Sequence, residues 1–258
     1  MATLIRPDGT RLFYQVIGKD TGRPPLVFIH GWCSNQEHWV HQASHFRKRH
    51  RVLLLDRRGH GRSTTSGAGH DPATHAADFA ALTAAAGLER VLAIGHAGGG
   101  AGTLAFIRDN PRLVRAGVLI DTGLSGPPPA PAANSPLAAV IERLRGPQAK
   151  SVFKTMYASY FHPKGDRAAA RQAVTDAART PDAVKIAELH GLMVDTAAIA
   201  DGIAQPVLWL TAAGANQAFI RAHLKNVAFA QVYGANHFPH FEQPAQTNAM
   251  IEAFLTRI

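Results

Sequence analysis

A glycine-rich segment, residues 95–99 (GHAGG), is the part of the sequence best suited to chemistry. It follows an apolar run, residues 91–94, and precedes a helical stretch. A tight turn between a strand and a helix serves two kinds of site. One is a nucleophile elbow, Gly-x-Ser-x-Gly, which exposes one side chain at the start of the helix. The other is a dinucleotide-binding turn, Gly-x-Gly-x-x-Gly. Ala97 stands at the nucleophile position of the first and replaces the second glycine of the other, so this segment alone leaves both open.

Three further segments follow apolar runs and distinguish between these sites. They are residues 30–33 (HGWC), 56–63 (DRRGHGRS) and 234–244 (GANHFPHFEQP). A dinucleotide fold has no use for this set. Together with the glycine-rich segment, and in this order, they resemble the motifs of the α/β-hydrolase fold superfamily. Those motifs are a His-Gly oxyanion loop, an Asp-x-x-Gly-His-Gly-x-Ser turn, the elbow, and a late histidine before Glu-x-Pro.

The resemblance implies the roles of a serine hydrolase site. Ala97 holds the nucleophile position, where serine is expected, and His237 is the general base. The backbone N–H groups of Trp32 and Gly98 form the oxyanion hole, which stabilises charge that develops on a carbonyl oxygen. An imidazole suits the role of base because it takes up a proton near neutral pH and a carboxylate can fix its tautomer.

The carboxylate partner of His237 departs from the commonest pattern of the superfamily. That pattern places the acid after the predicted strand at residues 206–211, where this sequence continues AAGAN without a carboxylate. Some members place the acid at the end of the strand after the elbow helix, which here is Asp121. We therefore predict Asp121 as the partner, with Asp195 and Asp201 as alternatives.

Alanine at position 97 has no group that can attack a carbonyl, and several interpretations are open. One is a hydrolase of esters or lactones that alanine inactivates at this position. Another is a cofactor-independent ring-cleaving dioxygenase of the same fold, to which residues 30–33, Asp121 and His237 are also similar, and which would use the histidine and carboxylate to deprotonate an aromatic hydroxyl. A third is a non-catalytic binding protein. The retention of the oxyanion loop with both members of the dyad favours the hydrolase.

Aromatic and apolar side chains near these positions predict the character of the substrate. Trp32 and Phe238 adjoin the site residues, and Met156 and Tyr160 belong to an aromatic-rich helical stretch, residues 151–161. We expect these four side chains to line a mostly apolar pocket for a small acyl, lactone or aromatic compound. No cofactor and no metal is predicted, since the histidines lack ligand spacing with cysteines or carboxylates on one element.

The elements that must position these residues alternate along the chain. Helical stretches, among them one over residues 36–49, separate apolar runs typical of buried strands at residues 12–17, 25–30, 51–56, 91–95 and 114–121. This alternation predicts an α/β fold with a mostly parallel central sheet and helices on both faces. Residues 137–192 have a helical pattern, and strands return at residues 206–211 and 227–233. We therefore predict a core α/β domain, residues 1–124 and 201–258, with a helical cap insertion, residues 125–200.

Composition and charge exclude several other classes of protein. Of 258 residues, 46% are hydrophobic and 17% charged, as in globular rather than disordered chains. The net charge is +9, but the basic run at residues 47–51 ends a helix, where cations are favoured, and lacks the features of a nucleic-acid site. Cys33 is the single cysteine, and no apolar run reaches the ~20 residues of a membrane span. We expect a cytoplasmic protein with a small-molecule substrate and no nucleic-acid or membrane partner; the sequence does not define its oligomeric state.

Overall fold

The central sheet contains eight strands in the order β1-β2-β4-β3-β5-β6-β7-β8. The computed structural model describes residues 2–130 and 134–258; residues 1 and 131–133, the latter within the predicted cap insertion, lie outside them. The strands are β1 (Ala2–Ile5), β2 (Arg11–Ile17), β3 (Leu26–Ile29), β4 (Val52–Leu55), β5 (Val91–His96), β6 (Val114–Ile120), β7 (Val207–Thr211) and β8 (Val227–Gln231).

Only the first two strands run antiparallel to their neighbours. From β4 to β8 every pairing is parallel. All residues of β3, β4 and β5 are buried, because helices cover both faces of the sheet. The carboxyl ends of the parallel strands meet at one edge, and the loops that leave this edge carry the predicted site residues.

Eleven helices are present in the described part of the chain. They are α1 (Val40–Phe46), α2 (Pro72–Ala85), α3 (Gly100–Asp109), α4 (Pro136–Arg145), α5 (Ala149–Ala158), α6 (Arg167–Ala178), α7 (Asp182–Gly191), α8 (Thr196–Ala200), α9 (Gln217–His223), α10 (Pro239–Glu242) and α11 (Pro244–Leu255). None of them is both long enough and apolar enough to cross a membrane.

Two hydrophobic cores fill the two faces of the sheet. Phe79 of α2 and Leu104 of α3 belong to the core on one face. Phe46 of α1 and Ile251 of α11 belong to the core on the other. A buried CH₂ group contributes about 0.8 kcal/mol, so these faces supply most of the favourable free energy of folding.

A third hydrophobic cluster connects the helices between β6 and β7 to the carboxyl edge of the sheet. Phe153 and Tyr157 of α5 and Leu189 of α7 pack there with Trp32 and Phe238, which belong to core loops. We call α4–α7 the insertion helices. They lie over the loops that carry the predicted site residues, so a cavity between the two layers has an apolar roof.

The predicted fold class is confirmed, with local differences. The helix expected over residues 36–49 is a 3₁₀ turn, Gln36–Trp39, followed by α1, which ends at Phe46. The turn forms because side-chain oxygens of Asn35 and Asp56 accept the first amide groups of the segment. The sequence pattern does not predict strand β1 and helix α9, since each has only four to seven residues and no long periodicity.

Candidate active site

The turn between β5 and α3 has the geometry of an elbow. Strand β5 ends at His96, residues Ala97–Gly99 form one 3₁₀ turn, and α3 follows at once. Ala97 has a φ of 46°, a left-handed conformation that is uncommon for a residue with a Cβ atom. A Cβ added at Gly95 would overlap the Thr103 side chain, so glycine is needed for the strand and helix to approach so closely. The turn therefore holds the Ala97 methyl at the head of α3.

Asp121 and His237 meet at the same edge of the sheet. Asp121 follows β6, and its Oδ2 lies 2.7 Å from His237 Nδ1. Its other oxygen, Oδ1, accepts a hydrogen bond of 3.0 Å from the Ala212 amide after β7. Asp121 also has a left-handed backbone, with a φ of 47°. Both carboxylate oxygens are thus held, which fixes the imidazole that they support.

His237 is the more open member of this dyad. Its side chain is 30% exposed, and in the described part of the chain its Nε2 atom has no hydrogen-bond partner. Its main chain is held on both sides: the amide donates to the Tyr160 carbonyl at 3.0 Å, and the carbonyl accepts from His96 Nε2 at 2.7 Å. Hydrogen bonds thereby connect the loop that carries His237 to β5 and to the turn that follows α5.

His96 lines the cavity edge of the elbow, and the sequence analysis assigned it no role. Burial lowers the pKa of His96 well below its usual value, so the imidazole is neutral. The proton on Nε2 is donated to the His237 carbonyl, while Nδ1 is buried and has no hydrogen-bond partner among the described residues. A single histidine inside a strand gives no sequence signal for such a contact, because the two residues are 141 positions apart.

The Trp32 main chain lies beside Gly98, as an oxyanion hole requires. A Cβ built on Gly98 would be 3.3 Å from the Trp32 amide nitrogen, and this amide has no hydrogen-bond acceptor among the described residues. The indole Nε1 of Trp32 donates to the Lys185 carbonyl of α7 at 3.0 Å. The Trp32 ring is thus held by the insertion helices while its amide stays open.

Two neutral imidazoles support the loops around Trp32. His30 Nε2 accepts from the Arg57 amide at 2.9 Å, and His60 Nε2 accepts from the Cys33 amide at 3.2 Å. Burial lowers the pKa of His30 well below its usual value and that of His60 to about 4. Acceptance of a hydrogen bond at Nε2 needs the neutral form, so burial and bonding agree.

A cavity of about 300 Å³ opens between the elbow and the insertion helices. Three of the four predicted substrate-binding residues, Trp32, Tyr160 and Phe238, line it, whereas Met156 does not and instead packs against the third hydrophobic cluster. Its other walls are lined by His96, Ala97, Gly98, Ala101, Asp121, Thr122, Gly123, Leu124, Ser125, Leu137, Tyr157, Leu189, Leu192, Thr196 and His237. Every residue predicted for the catalytic dyad, the nucleophile position and the oxyanion hole thus borders one cavity.

The alternative acids lie elsewhere. Asp195 caps α8 by accepting from the Ala198 amide at 2.9 Å, and Asp201 lies 2.8 Å from His223 Nδ1. Neither lines the cavity. These contacts give both carboxylates a structural role, away from the cavity.

One group of side chains in the described part of the chain has the spacing of metal ligands. One ligand atom each from His70, His75 and Glu188 lies within 4.8 Å of the other two. Ligand spacing on a single element does not reveal this group, because its members come from separate elements. The Arg57 guanidinium contacts Glu188 and lies 3.0 Å from His75 Nε2, so a cation of the protein already neutralises the carboxylate.

The comparisons with known proteins agree with this architecture. Residues 26–250 match the model of the alpha/beta hydrolase family. A non-heme chloroperoxidase from Streptomyces lividans is 42% identical over 122 residues, which is 46% of this chain and 44% of that relative, so the matched segment spans less than half the length of either.

Two solved structures superpose over almost the whole chain. An esterase from Exiguobacterium antarcticum has a TM-score of 0.87 at 16% identity and covers 98% of both chains. An enol-lactonase from Burkholderia xenovorans LB400 has a TM-score of 0.86 at 18% identity, over 99% of this chain and 100% of that one. At such identities the likeness concerns the fold. With the family match over residues 26–250, the chain belongs to the alpha/beta hydrolase family.

Proposed function

We propose that the protein binds a small, largely apolar or aromatic carboxylic ester or lactone in the cavity above Ala97 and is built for its hydrolysis. One observation carries this proposal. An imidazole supported by Asp121, with its outer nitrogen open, borders the same cavity as the elbow and the Trp32 amide. A base and an amide donor directed at one space are the parts that acyl transfer needs.

The cavity walls support an apolar substrate of modest size. Tyr160 and Phe238 line the side near His237, and Leu189 and Leu192 of the insertion segment line another. A volume of about 300 Å³ is at the small end of ligand pockets, which favours a short acyl or a single-ring compound. Thr122 and Ser125 supply hydroxyl groups that can orient a polar atom of the ligand.

The alanine at position 97 removes the covalent route in this chain. Hydrolysis is left to water: His237 Nε2 takes a proton from a water molecule whose oxygen adds to the carbonyl carbon, and the expelled alcohol receives that proton. Loss of the nucleophile in a serine hydrolase costs about 10⁶ in turnover, while binding and the oxyanion hole retain a residual 10³–10⁴-fold rate enhancement, in order of magnitude. We therefore infer a weakly active form of a hydrolase site.

Restoring a hydroxyl tests the proposal. We expect Ala97→Ser to raise kcat/KM for p-nitrophenyl butyrate and for a small lactone by at least about 10²-fold, because serine can form an acyl-enzyme that His237-activated water then releases. Ala101→Ser, the same substitution on another wall of this cavity, is the matched control and should leave the rate within about threefold. Equal rates for both variants, with the proteins folded, contradict the proposed hydrolase.

One feature favours a second candidate function: His237 and Asp121 are in contact although position 97 carries no hydroxyl group. His237 and Asp121 can deprotonate an aromatic hydroxyl with alanine at position 97, as a cofactor-independent dioxygenase requires. Oxygen uptake by the unaltered chain with a 3-hydroxy-4-quinolone distinguishes the two. Uptake that His237→Ala abolishes supports the dioxygenase, and tight binding without turnover in either assay supports a binding protein.

A further inference from the structure

Four buried side chains form a charged cluster that the proposed chemistry does not use. Glu188 Oε1 lies 2.8 Å from His70 Nδ1 and 2.9 Å from His75 Nε2, and Glu188 Oε2 contacts the Arg57 guanidinium. None of the four side chains is more than 4% exposed. We call Arg57, His70, His75 and Glu188 the Glu188 cluster. It does not border the cavity of the candidate active site.

The cluster joins the insertion helices to the core. Glu188 lies on α7, whereas Arg57 follows β4, His70 precedes α2 and His75 lies on α2. The helix also approaches the core backbone closely, since a Cβ added at Gly191 would overlap the His70 carbonyl. Helix α7 is therefore held both by a buried charge and by close packing on the segment before α2.

The same helix forms one wall of the cavity. Leu189 and Leu192 line the cavity, one and four positions after Glu188, and the Lys185 carbonyl accepts the Trp32 indole proton. A rigid helix moves as a unit, so the position of Glu188 fixes where these leucines lie relative to the elbow. A shift of α7 would enlarge the cavity or move the Trp32 ring.

The ionised Glu188 carboxylate and its buried partners hold α7 against the core. Burial alone would raise the pKa of the Glu188 carboxyl, but Arg57 and the two imidazoles hold it well below its usual value. Burial lowers the pKa of His75, so its imidazole is neutral. Removal of one partner from such a buried pair leaves an uncompensated charge, which costs far more than loss of an exposed pair.

We propose that the Glu188 cluster determines substrate size by fixing α7 over the cavity. This inference rests on the proposed function for the nature of the ligand, but the fixing of α7 can be measured without it. Glu188 is in this view a specificity-determining residue that acts through Leu189 and Leu192, not a group that touches the substrate.

The test compares Glu188→Gln with Glu142→Gln, the same carboxylate-to-amide change at an exposed position of the insertion helix α4. Hydrogen–deuterium exchange of residues 182–192 reports the fixing of α7. Calorimetric binding of aryl alkyl ketones, from acetophenone to octanophenone, to the unaltered Ala97 chain reports cavity size without any hydrolysis. Ketones serve because they present the carbonyl of an ester without a cleavable bond.

We expect Glu188→Gln to speed exchange of the α7 amides at least tenfold. We also expect it to lower the ratio of the octanophenone Kd to the acetophenone Kd at least tenfold, so that the larger ketone is favoured. Glu142→Gln should change neither by more than about twofold, because both side chains of its ion pair with Arg145 are exposed. Unchanged exchange overturns the fixing of α7, and faster exchange with an unchanged ratio overturns the role in specificity. If no ketone binds to the unaltered chain, the proposed function fails and the exchange measurement alone decides whether the cluster fixes α7.

A double variant covers the case in which Glu188→Gln does not fold. Arg57→Met with Glu188→Met removes both charges together, and apolar replacement of a buried pair is often neutral or stabilising. This variant should fold and still show faster exchange in α7, since methionines impose no fixed pairing. Exchange as slow as in the unaltered chain would overturn the proposal.

Discussion

The dyad and the Glu188 cluster both bring a carboxylate against histidine near the carboxyl edge of the sheet, and the surroundings of the two sites differ. In the dyad, Asp121 and His237 have side chains 19% and 30% exposed, and His237 lines a cavity. In the Glu188 cluster, the carboxylate is 1% exposed, contacts two imidazoles and is neutralised by the Arg57 guanidinium. Residue types alone do not separate these sites.

The difference lies in what remains available after the structural contacts are made. Among the described residues, Nε2 of His237 has no hydrogen-bond partner, and His237 lines the same cavity as Trp32, so the dyad can exchange a proton with a ligand there. In the cluster, the carboxylate and the guanidinium contact one another and both are buried, so their charges are used to hold α7 against the core. A histidine that lines a cavity and keeps one nitrogen without a partner is therefore a better indication of a candidate active site than a buried ion pair with shifted pKa values.

The largest expected effect separates the two histidine sites by activity. In the Ala97→Ser background, His237→Ala should lower kcat/KM for p-nitrophenyl butyrate by at least about 10³-fold, because the serine loses its base. His70→Asn should lower it by less than about tenfold, since this imidazole only supports the attachment of α7. Steady-state kinetics on both variants measures the contrast, and equal losses would mean that the comparison is wrong.

For stability, we expect substitution in the Glu188 cluster to have the larger effect and substitution in the dyad the smaller one. We expect Glu188→Ala to lower the free energy of unfolding by about 3–5 kcal/mol, because Arg57 is left buried and unpaired. Asp121→Ala should cost about 1 kcal/mol, the typical contribution of a hydrogen bond in a partly exposed site. Urea denaturation of the two variants measures both values. A larger loss for Asp121→Ala would show that the dyad, not the cluster, secures the fold.

Acid should lower the stability of the fold by protonating buried imidazoles. Burial lowers the pKa of His38 and of His60 to about 4, below the value of about 6.5 in the unfolded chain. The contribution of these histidines to the free energy of unfolding is therefore complete above pH 6.5. It is lost as the pH falls from 6.5 toward 4, by up to about 3 kcal/mol for each histidine.

Urea midpoints measured at pH 8, 6 and 5 test this expectation. The midpoint should fall with pH, and His60→Asn should flatten the fall. His45→Asn provides the control, because the His45 side chain is 39% exposed. A midpoint independent of pH, or equal slopes in all three proteins, would contradict the assignment of neutral buried imidazoles.

The smallest effect concerns the elbow backbone. Ala97 has a φ of 46°, which costs a residue with a Cβ roughly 1–2 kcal/mol, so Ala97→Gly should stabilise the fold by about 1 kcal/mol. Ala101→Gly, within α3, should destabilise it by a similar amount because glycine weakens a helix. Thermal unfolding gives both signs; destabilisation by Ala97→Gly would show that the elbow is not strained.

The members of the dyad were predicted through the resemblance to the α/β-hydrolase superfamily, and the fold brings them together because both follow strands of the sheet. Parallel strands bring their carboxyl ends together, so a carboxylate after β6 and a histidine after β8 share one edge of the sheet whatever the details of packing. The strands themselves were predictable from continuous apolar runs such as Leu26–Ile29. The catalytic roles of Asp121 and His237 stay predictions that the kinetics above test.

The Glu188 cluster and the His96 contact could not be predicted in this way. Glu188 is 131 positions from Arg57 and 113 from His75, and no spacing or motif relates them. Their meeting depends on tertiary packing of α7 on the core, including the close approach of Gly191 to the His70 carbonyl, and no local pattern shows this packing. Met156 illustrates the same limit, since helical periodicity does not tell which face of α5 borders the cavity.

The most direct test of the central claim is covalent labelling at position 97. The Ala97→Ser protein is treated with a fluorophosphonate, and the site of the adduct is located by peptide mass spectrometry. We expect an adduct on the introduced serine in that variant alone, absent from Ala101→Ser and lost when His237→Ala is added. Absence of the adduct from folded Ala97→Ser, or equal labelling of Ala101→Ser, would contradict the assignment of this cavity to acyl transfer.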